Sequence, residues 1–203
     1  MHQLAVPPLE RVWYLYYYFK KDSPDYLTHQ LMDFKADKKP QLDTFSALAA
    51  DAMAAEDIKF DYILRVLGSD ELTATKGNRV RDIALAITNA VKCKYRPLWL
   101  EKKRKTRSLK GLKLPQRQAE LEDVYFLKDT DDLNDCNVLI VDDISTTGTS
   151  LQVIAELILR QYPQAKVYGF ILAKTSNPDF GGPDRNDQDS ELHYREVLKK
   201  HVQ

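Results

Sequence analysis

No apolar run in this 203-residue chain approaches the length that crosses a bilayer, and nothing at its start resembles a signal peptide. The expected home is the cytoplasm, with no membrane partner. Cysteine is scarce as well, since Cys93 and Cys136 stand far apart in apolar contexts. Neither a disulfide framework nor a cysteine-based zinc site is available, and two reduced, buried thiols are expected. Excess charge is also missing, with 30 Lys and Arg against 30 Asp and Glu. No global field therefore points to nucleic acid or a membrane surface. Internal repeats, low-complexity segments and a G-x-x-x-x-G-K-S/T phosphate loop are all absent. What remains is enough chain for one domain with additions and a substantial core.

The most informative stretch present is Val138 to Ser150. Val138, Leu139, Ile140 and Val141 read as a strand buried on both faces, as in a parallel sheet. Asp142 and Asp143 end it. Ser145, Thr146, Thr147, Gly148, Thr149 and Ser150 form a small hydroxylated loop. Leu151, Ile154, Leu157 and Ile158 then follow with helical spacing. Ligands sit at the carboxyl ends of such strands. A helix start holds anions through unpaired N–H groups and its dipole, and Gly148 lets the backbone approach or take a positive φ. Threonine and serine hydroxyls add donors, while the two carboxylates accept from a sugar diol. A phosphate and a diol at this separation describe ribose 5-phosphate.

The flanking chain reads as alternating helices and strands. Pro7-Pro8 is expected to open a first helix carrying Trp13, Tyr14, Tyr16, Tyr17, Tyr18 and Phe19, with Val12, Trp13, Tyr16 and Tyr17 on one face. That face suits core or a partner, and a base-stacking platform is the sharper alternative. Ser23-Pro24 should cap a second helix through Leu27, Leu31 and Phe34. A third is expected from Asp43 or Thr44, with Phe45, Leu48, Ala49 and Met53 inward. Phe60–Val66 reads as the first core strand, running into a turn at Leu67, Gly68 and Ser69. Lys76-Gly77-Asn78-Arg79 precedes a helix with Val80, Ile83, Ala84, Ile87 and Val91 on one face. Further strands are expected at Pro97–Leu100, Val124–Leu127 and Lys166–Ala173. Asn177–Asp189 reads as a flexible loop, and Ser190–Val202 as a terminal helix. Glu101 to Lys113 holds seven basic residues against one acidic. It is either a solvated face or a mobile basic lid that closes over a highly charged ligand.

The thirteen residues Val138–Ser150 resemble the phosphoribosyl-pyrophosphate (PRPP) motif of the type I phosphoribosyltransferases. Lys76–Arg79, Arg104–Leu109 and Gln116-Arg117 are similar to segments of the ComF-like, amidophosphoribosyltransferase-related branch. Two departures stand out: the N-terminal four-Cys zinc module of full-length ComF proteins is absent, and its Pro-Val-Pro is here Arg65-Val66-Leu67.

The resemblance implies an α/β fold, a central, mostly parallel sheet flanked by helices with a small helical hood. It would have four or five strands in the order 3-2-1-4-5. The expected division is 1–57 as N-terminal helical hood, 58–176 as core, and 177–203 as loop and terminal helix. Implied roles are PRPP binding at Ser145, Thr146, Thr147, Gly148, Thr149 and Ser150, and a pyrophosphate loop at Arg65, Leu67, Gly68 and Ser69. Catalysis falls to Asp142 and Asp143 with the lid residues Arg104 and Lys105. The implied cofactor is Mg²⁺, held mainly by the substrate rather than by dedicated protein ligands. PRPP would donate its phosphoribosyl group to a base or amine that no motif identifies. Other readings are a catalytically silent PRPP sensor and a ComF-like accessory in DNA uptake or handling. Nucleic acid is thus open but not favoured, and a homodimer is also compatible.

Overall fold

The computed structural model describes residues 1–19, 25–109, 111–176 and 183–201. Its centre is a six-stranded sheet, built around the strand that the sequence makes most apolar. That strand, β7 (Asn137–Ser145), has Val138 to Val141 wholly buried and lies between β3 (Tyr62–Arg65) and β8 (Lys166–Thr175). Both neighbours run parallel to it, with Tyr62 opposite Val138 and Asp142 opposite Ile171. Near-continuous apolar runs are what a strand covered on both faces requires.

The first helix expected from the sequence is a strand. Residues Arg11–Tyr18 form β2, parallel to β8, and β1 (His2–Leu4) pairs antiparallel with β2 at the sheet edge. Aromatic residues fit both periodicities when nearly every position is apolar. Aromatic β-propensity and an eight-residue length suit a buried strand better. Trp13, Tyr14 and Tyr16 are consequently core residues and form no base-stacking surface.

The other edge also differs. β4 (Lys94–Tyr95) extends the sheet beside β3, so the order is β1-β2-β8-β7-β3-β4. The expected strand at Pro97–Leu100 is displaced to β5 (Leu100–Lys102). That strand pairs antiparallel with β6 (Tyr125–Leu127) in a separate two-stranded sheet. Val124–Leu127 therefore never joins the main sheet, and the expected order 3-2-1-4-5 survives only in its 1-4-5 part (β3-β7-β8), with β4 in the place of the expected second strand. Strands this short carry too little side-chain pattern to specify their partner.

Helices cover both faces. On one face α1 (Tyr26–Lys35), α2 (Lys39–Ala54), α3 (Arg79–Val91) and α6 (Gln188–His201) bury Phe34, Phe45, Met53, Ile83 and Tyr194 against the sheet. On the other, α5 (Thr149–Gln161) packs Leu151, Ile154 and Ile158 with Val12, Ile140 and Ile171, and α4 (Leu114–Leu121) adds Leu121. The expected cap Ser23-Pro24 lies outside the described residues, and α1 is capped by Asp25, which accepts the Thr28 amide at 2.7 Å. α2 begins at Lys39, earlier than expected, because Pro40 sits in the first turn where its missing N–H costs nothing. Residues 177–182 of the expected flexible loop, and Val202 of the terminal helix, are also outside the described residues. Both cysteines are free and half-buried, less enclosed than expected.

Candidate functional site

Successive residues of a strand point to opposite faces. That separates the acid pair, and both acids are half-buried at the strand end. Asp143 faces α3, where its Oδ2 accepts from Arg79 Nε at 3.3 Å while its Oδ1 accepts the Ile144 amide at 2.7 Å. Asp142 faces the β5–β6 side, within electrostatic reach of Lys102 and Tyr125. Burial, and next the Asp143 charge, raise the Asp142 carboxyl well above the ordinary carboxylate range. The Asp143 amide, donated to Asp142 Oδ1 at 2.8 Å, offsets part of that.

The hydroxylated loop lies directly after these acids. Ser145 Oγ accepts the Gly148 amide at 2.9 Å, closing the turn, and the Thr147 and Thr149 hydroxyls are 2.7 Å apart. Thr146 donates to Thr175 Oγ1 at 3.2 Å, tying the loop to the end of β8. Gly148 is the N-cap of α5 and supplies no side-chain cap, which leaves the first-turn N–H groups without a side-chain acceptor. Thr146 and Thr147 are exposed, Ser150 is half-buried and Thr149 is buried.

Gly148 has φ 76°, and a Cβ there would stand 2.8 Å from Val6 Cγ2. The glycine is needed for packing under the β1–β2 turn as well as for backbone conformation. Gly148→Ala is therefore expected to lower Tm by roughly 5–10 °C, from the cost of left-handed backbone plus overpacking. Adding Val6→Ala should restore the overpacking share. A melting curve in which the second substitution recovers nothing would refute the contact.

The loop after β3 departs most from the sequence expectation. Arg65 has a side-chain exposure of 0% and faces inward. Its Nη1 donates to Glu71 Oε2 at 2.8 Å and to the Val66 carbonyl at 3.1 Å. Its Nη2 donates to Glu71 Oε1 at 2.6 Å and to the Thr75 carbonyl at 3.2 Å. Glu71 also accepts the amides of Gly68 (2.7 Å) and Thr75 (3.1 Å), Asn78 Nδ2 (3.0 Å) and the Thr75 hydroxyl. Burial by itself would raise this carboxyl, but the Arg65, Thr75 and Gly68 hydrogen bonds outweigh it and hold the pKa at about 2. Leu67 is core. Of the four residues expected to hold pyrophosphate, Arg65 and Leu67 are interior, the Gly68 amide is occupied, and Ser69 stays half-buried.

The basic stretch is a strap fastened at two points. Lys102, 5% exposed, donates to the Gly68 carbonyl at 2.8 Å and to Thr106 Oγ1 at 3.3 Å. Burial lowers its amine to about 8, against the opposing pull of Glu71, Asp142 and Asp70. The Thr106 amide donates to the Ser69 carbonyl at 3.0 Å. Farther on, Arg104 bonds both the side chain (3.1 Å) and the carbonyl (2.8 Å) of Glu120, and Arg107 donates to Glu120 through its amide and Nε, both at 2.9 Å. Arg104 and Lys105 are both exposed, and Arg104 is paired with Glu120 of α4.

Sequence reasoning missed Glu71, Lys102, Glu120 and the role of Arg79. For Lys102 a signal existed: it shares a strand face with Leu100, two residues earlier. Glu71 and Glu120 meet their arginines through loop geometry, which leaves no periodic trace.

An acid pair and an uncapped, hydroxylated helix start at the carboxyl end of the central parallel strand define an α/β protein of the type I phosphoribosyltransferase fold. The chain belongs to the phosphoribosyl transferase family: the model of the phosphoribosyl transferase domain matches residues 46–180. No curated protein matches it. Among solved structures it is similar to the glutamine PRPP amidotransferase of B. subtilis, at 15% identity and TM-score 0.46, covering 70% of this chain and 30% of that one. It is also similar to a purine phosphoribosyltransferase of Pyrococcus horikoshii, at 21% identity and TM-score 0.42, covering 71% and 79%. For the Trypanosoma cruzi hypoxanthine phosphoribosyl transferase the values are 14%, 0.42, 66% and 64%.

Proposed function

We propose that this chain binds PRPP and transfers its 5-phosphoribosyl group to a nitrogen nucleophile, releasing pyrophosphate. The observation that carries the reading is the adjacency of two features. The α5 N-terminus, with its loop Ser145–Ser150, directly follows the acid pair Asp142 and Asp143. The loop takes the 5-phosphate and the acids take the ribose hydroxyls. Ser69, Lys102 and Lys105 lie on the pyrophosphate side, and Arg104 joins them on leaving Glu120. In the reaction the C1–O bond to pyrophosphate breaks, C1–N forms, and the nucleophile loses a proton. The acids orient the diol beneath the cationic ring, and the strap's positive charge stabilises the departing anion.

Among the described residues no group of three or more His, Cys, Asp or Glu could hold a metal ion. Asp142 and Asp143 are the carboxylates that would share Mg²⁺ with the substrate's phosphates and hydroxyls. When bound, the metal would neutralise pyrophosphate charge. We also assign residues 58–176 as the core that carries this chemistry, with residues 1–57 covering it as a hood through α1 and α2 while lending β1 and β2 to the sheet edge, and residues 177–203 adding α6, which packs Tyr194 into the same core. No helix among the described residues is long and apolar enough to cross a membrane, and a cytoplasmic location and a ComF-like role belong to this proposal.

A second reading, a PRPP-sensing regulator without turnover, is favoured by one observation. The Arg65 guanidinium and the Gly68 amide are spent on Glu71. The same experiment separates the two. PRPP with Mg²⁺ at a hundred times its Kd should raise Tm by roughly 5–10 °C. Pyrophosphate release on adding a nucleobase or amine then identifies the enzyme, and stabilisation without release identifies the sensor. No stabilisation by PRPP ends both readings.

A further inference from the structure

The side chain that fixes Asp143 comes from outside the PRPP-like motif. Arg79 is the first residue of α3, and its guanidinium spans two carboxylates from different parts of the fold. Nε donates to Asp143 Oδ2 at 3.3 Å and Nη1 donates to Asp37 Oδ1 at 3.4 Å. Asp37 follows α1 in a left-handed turn, φ 56°, within the N-terminal helical layer. Asp143 is 20% exposed and Asp37 57%, so the Asp143 contact is the less screened of the two.

Arg79 is itself held in place. Asn78 caps α3 by accepting the Val80 amide at 2.9 Å, and its amide nitrogen donates to the Glu71 hub. The Arg79 guanidinium thus joins the acid pair to the N-terminal layer, and its neighbour Asn78 ties the start of α3 to the loop after β3. Lysine, a point charge on a flexible stem, cannot serve two carboxylates in that fork.

We infer that Arg79 is a positioning residue. It holds Asp143 in the orientation that accepts a ribose hydroxyl, and through Asp37 it makes that orientation depend on the N-terminal layer. This rests on the reading that the acid pair takes the ribose diol. Each Asp143 oxygen accepts one hydrogen bond, Oδ1 from the Ile144 amide and Oδ2 from Arg79, so each keeps a lone pair for the sugar and Arg79 sets where Oδ2 points. Without Arg79 the Ile144 amide alone holds the carboxylate, Oδ2 loses its fixed direction, and the discrimination between sugars with and without the hydroxyl falls. The 5-phosphate loop, which Arg79 does not touch, keeps its affinity.

The test is calorimetric titration with ribose 5-phosphate and 2-deoxyribose 5-phosphate. A hydrogen bond to a charged acceptor predicts that wild-type protein favours ribose 5-phosphate by roughly tenfold or more. Arg79→Met should bring the ratio close to one while leaving 2-deoxyribose 5-phosphate affinity within about threefold, since that ligand depends on the loop. Arg79→Lys should fall between the two. Asp37→Asn, at an exposed turn, should lower the ratio partway with no loss of fold. If Arg79→Met fails to fold, Arg79→Lys and Asp37→Asn carry the decision. Unchanged discrimination in the folded Arg79 variants overturns the inference, and an unchanged ratio in Asp37→Asn alone removes its link to the N-terminal layer. Wild-type protein that binds both sugars equally instead overturns the diol reading, and the inference falls with it.

Discussion

Asp142→Asn combined with Asp143→Asn is expected to weaken PRPP binding by at least about a hundredfold while the protein stays folded. The two substitutions remove charge without removing shape. Asparagine at 142 keeps a carbonyl to accept the Asp143 amide, and at 143 it keeps one for Ile144. What it cannot supply is the second, charged acceptor for a sugar hydroxyl. The stability effect has a definite sign at position 142. Burial and the Asp143 charge raise the Asp142 carboxyl above its ordinary value of 3.8, so the unfolded chain ionises more readily than the folded one. A raised carboxyl contributes stability that is complete below the unfolded pKa and lost as pH rises through the folded one. Asp142→Asn alone should therefore melt higher than wild type at neutral pH, with the gap closing near pH 4. Thermal melts across pH 4–8 measure this. A gap that widens on acidification would contradict the buried-acid account, and PRPP binding retained in the double variant would remove the acid pair from the site.

The largest loss of stability is expected at Glu71. Glu71→Leu leaves the wholly buried Arg65 guanidinium uncompensated and strips the Gly68 and Thr75 amides of their acceptor. Breaking a buried pair from one side costs about 3–5 kcal/mol, a Tm loss on the order of 10 °C in a chain of this size. Arg65→Met should cost less, because Glu71 is 11% exposed and keeps Gly68, Thr75 and Asn78 as donors. The asymmetry distinguishes a carboxylate-centred hub from a plain ion pair, whose two halves would cost about the same to remove. Glu71 also predicts acid sensitivity. Its pKa falls from 4.5 to about 2 on folding, so it stabilises the fold fully above pH 4.5 and loses that contribution as pH drops towards 2. The amount is about 3 kcal/mol. Denaturant titrations between pH 2 and 6 on wild type and Glu71→Gln would test it, and parallel pH profiles would contradict it.

The motif was legible in the chain because its parts are contiguous. Val138–Val141 is apolar at every position, and a strand buried on both faces asks for that. The acids, hydroxyls and Gly148 follow within ten residues, so local order alone puts them at one strand end. The helices α3 and α5 were legible for a related reason, since an apolar face repeats along consecutive turns.

Residues 9–21 carried no such single period. Trp13 to Tyr18 satisfies a helix and a strand alike, and the choice fell to the free edge of β8, which β2 completes with parallel pairs from Arg11–Tyr168 to Tyr18–Thr175. The placement of β6 was equally non-local: three residues, Tyr125–Leu127, found β5 instead of the main sheet. The basic stretch shows the limit most clearly. Its composition left a solvated face and a mobile lid both open, and in the fold Lys102 turned inward to Gly68, and Arg104 and Arg107 met Glu120 on α4. Charge is written in the sequence. Whether a charge is spent on the protein or left for a ligand depends on which distant carboxylate the fold brings within about 3 Å, because ion pairing is short-ranged and has no period along the chain.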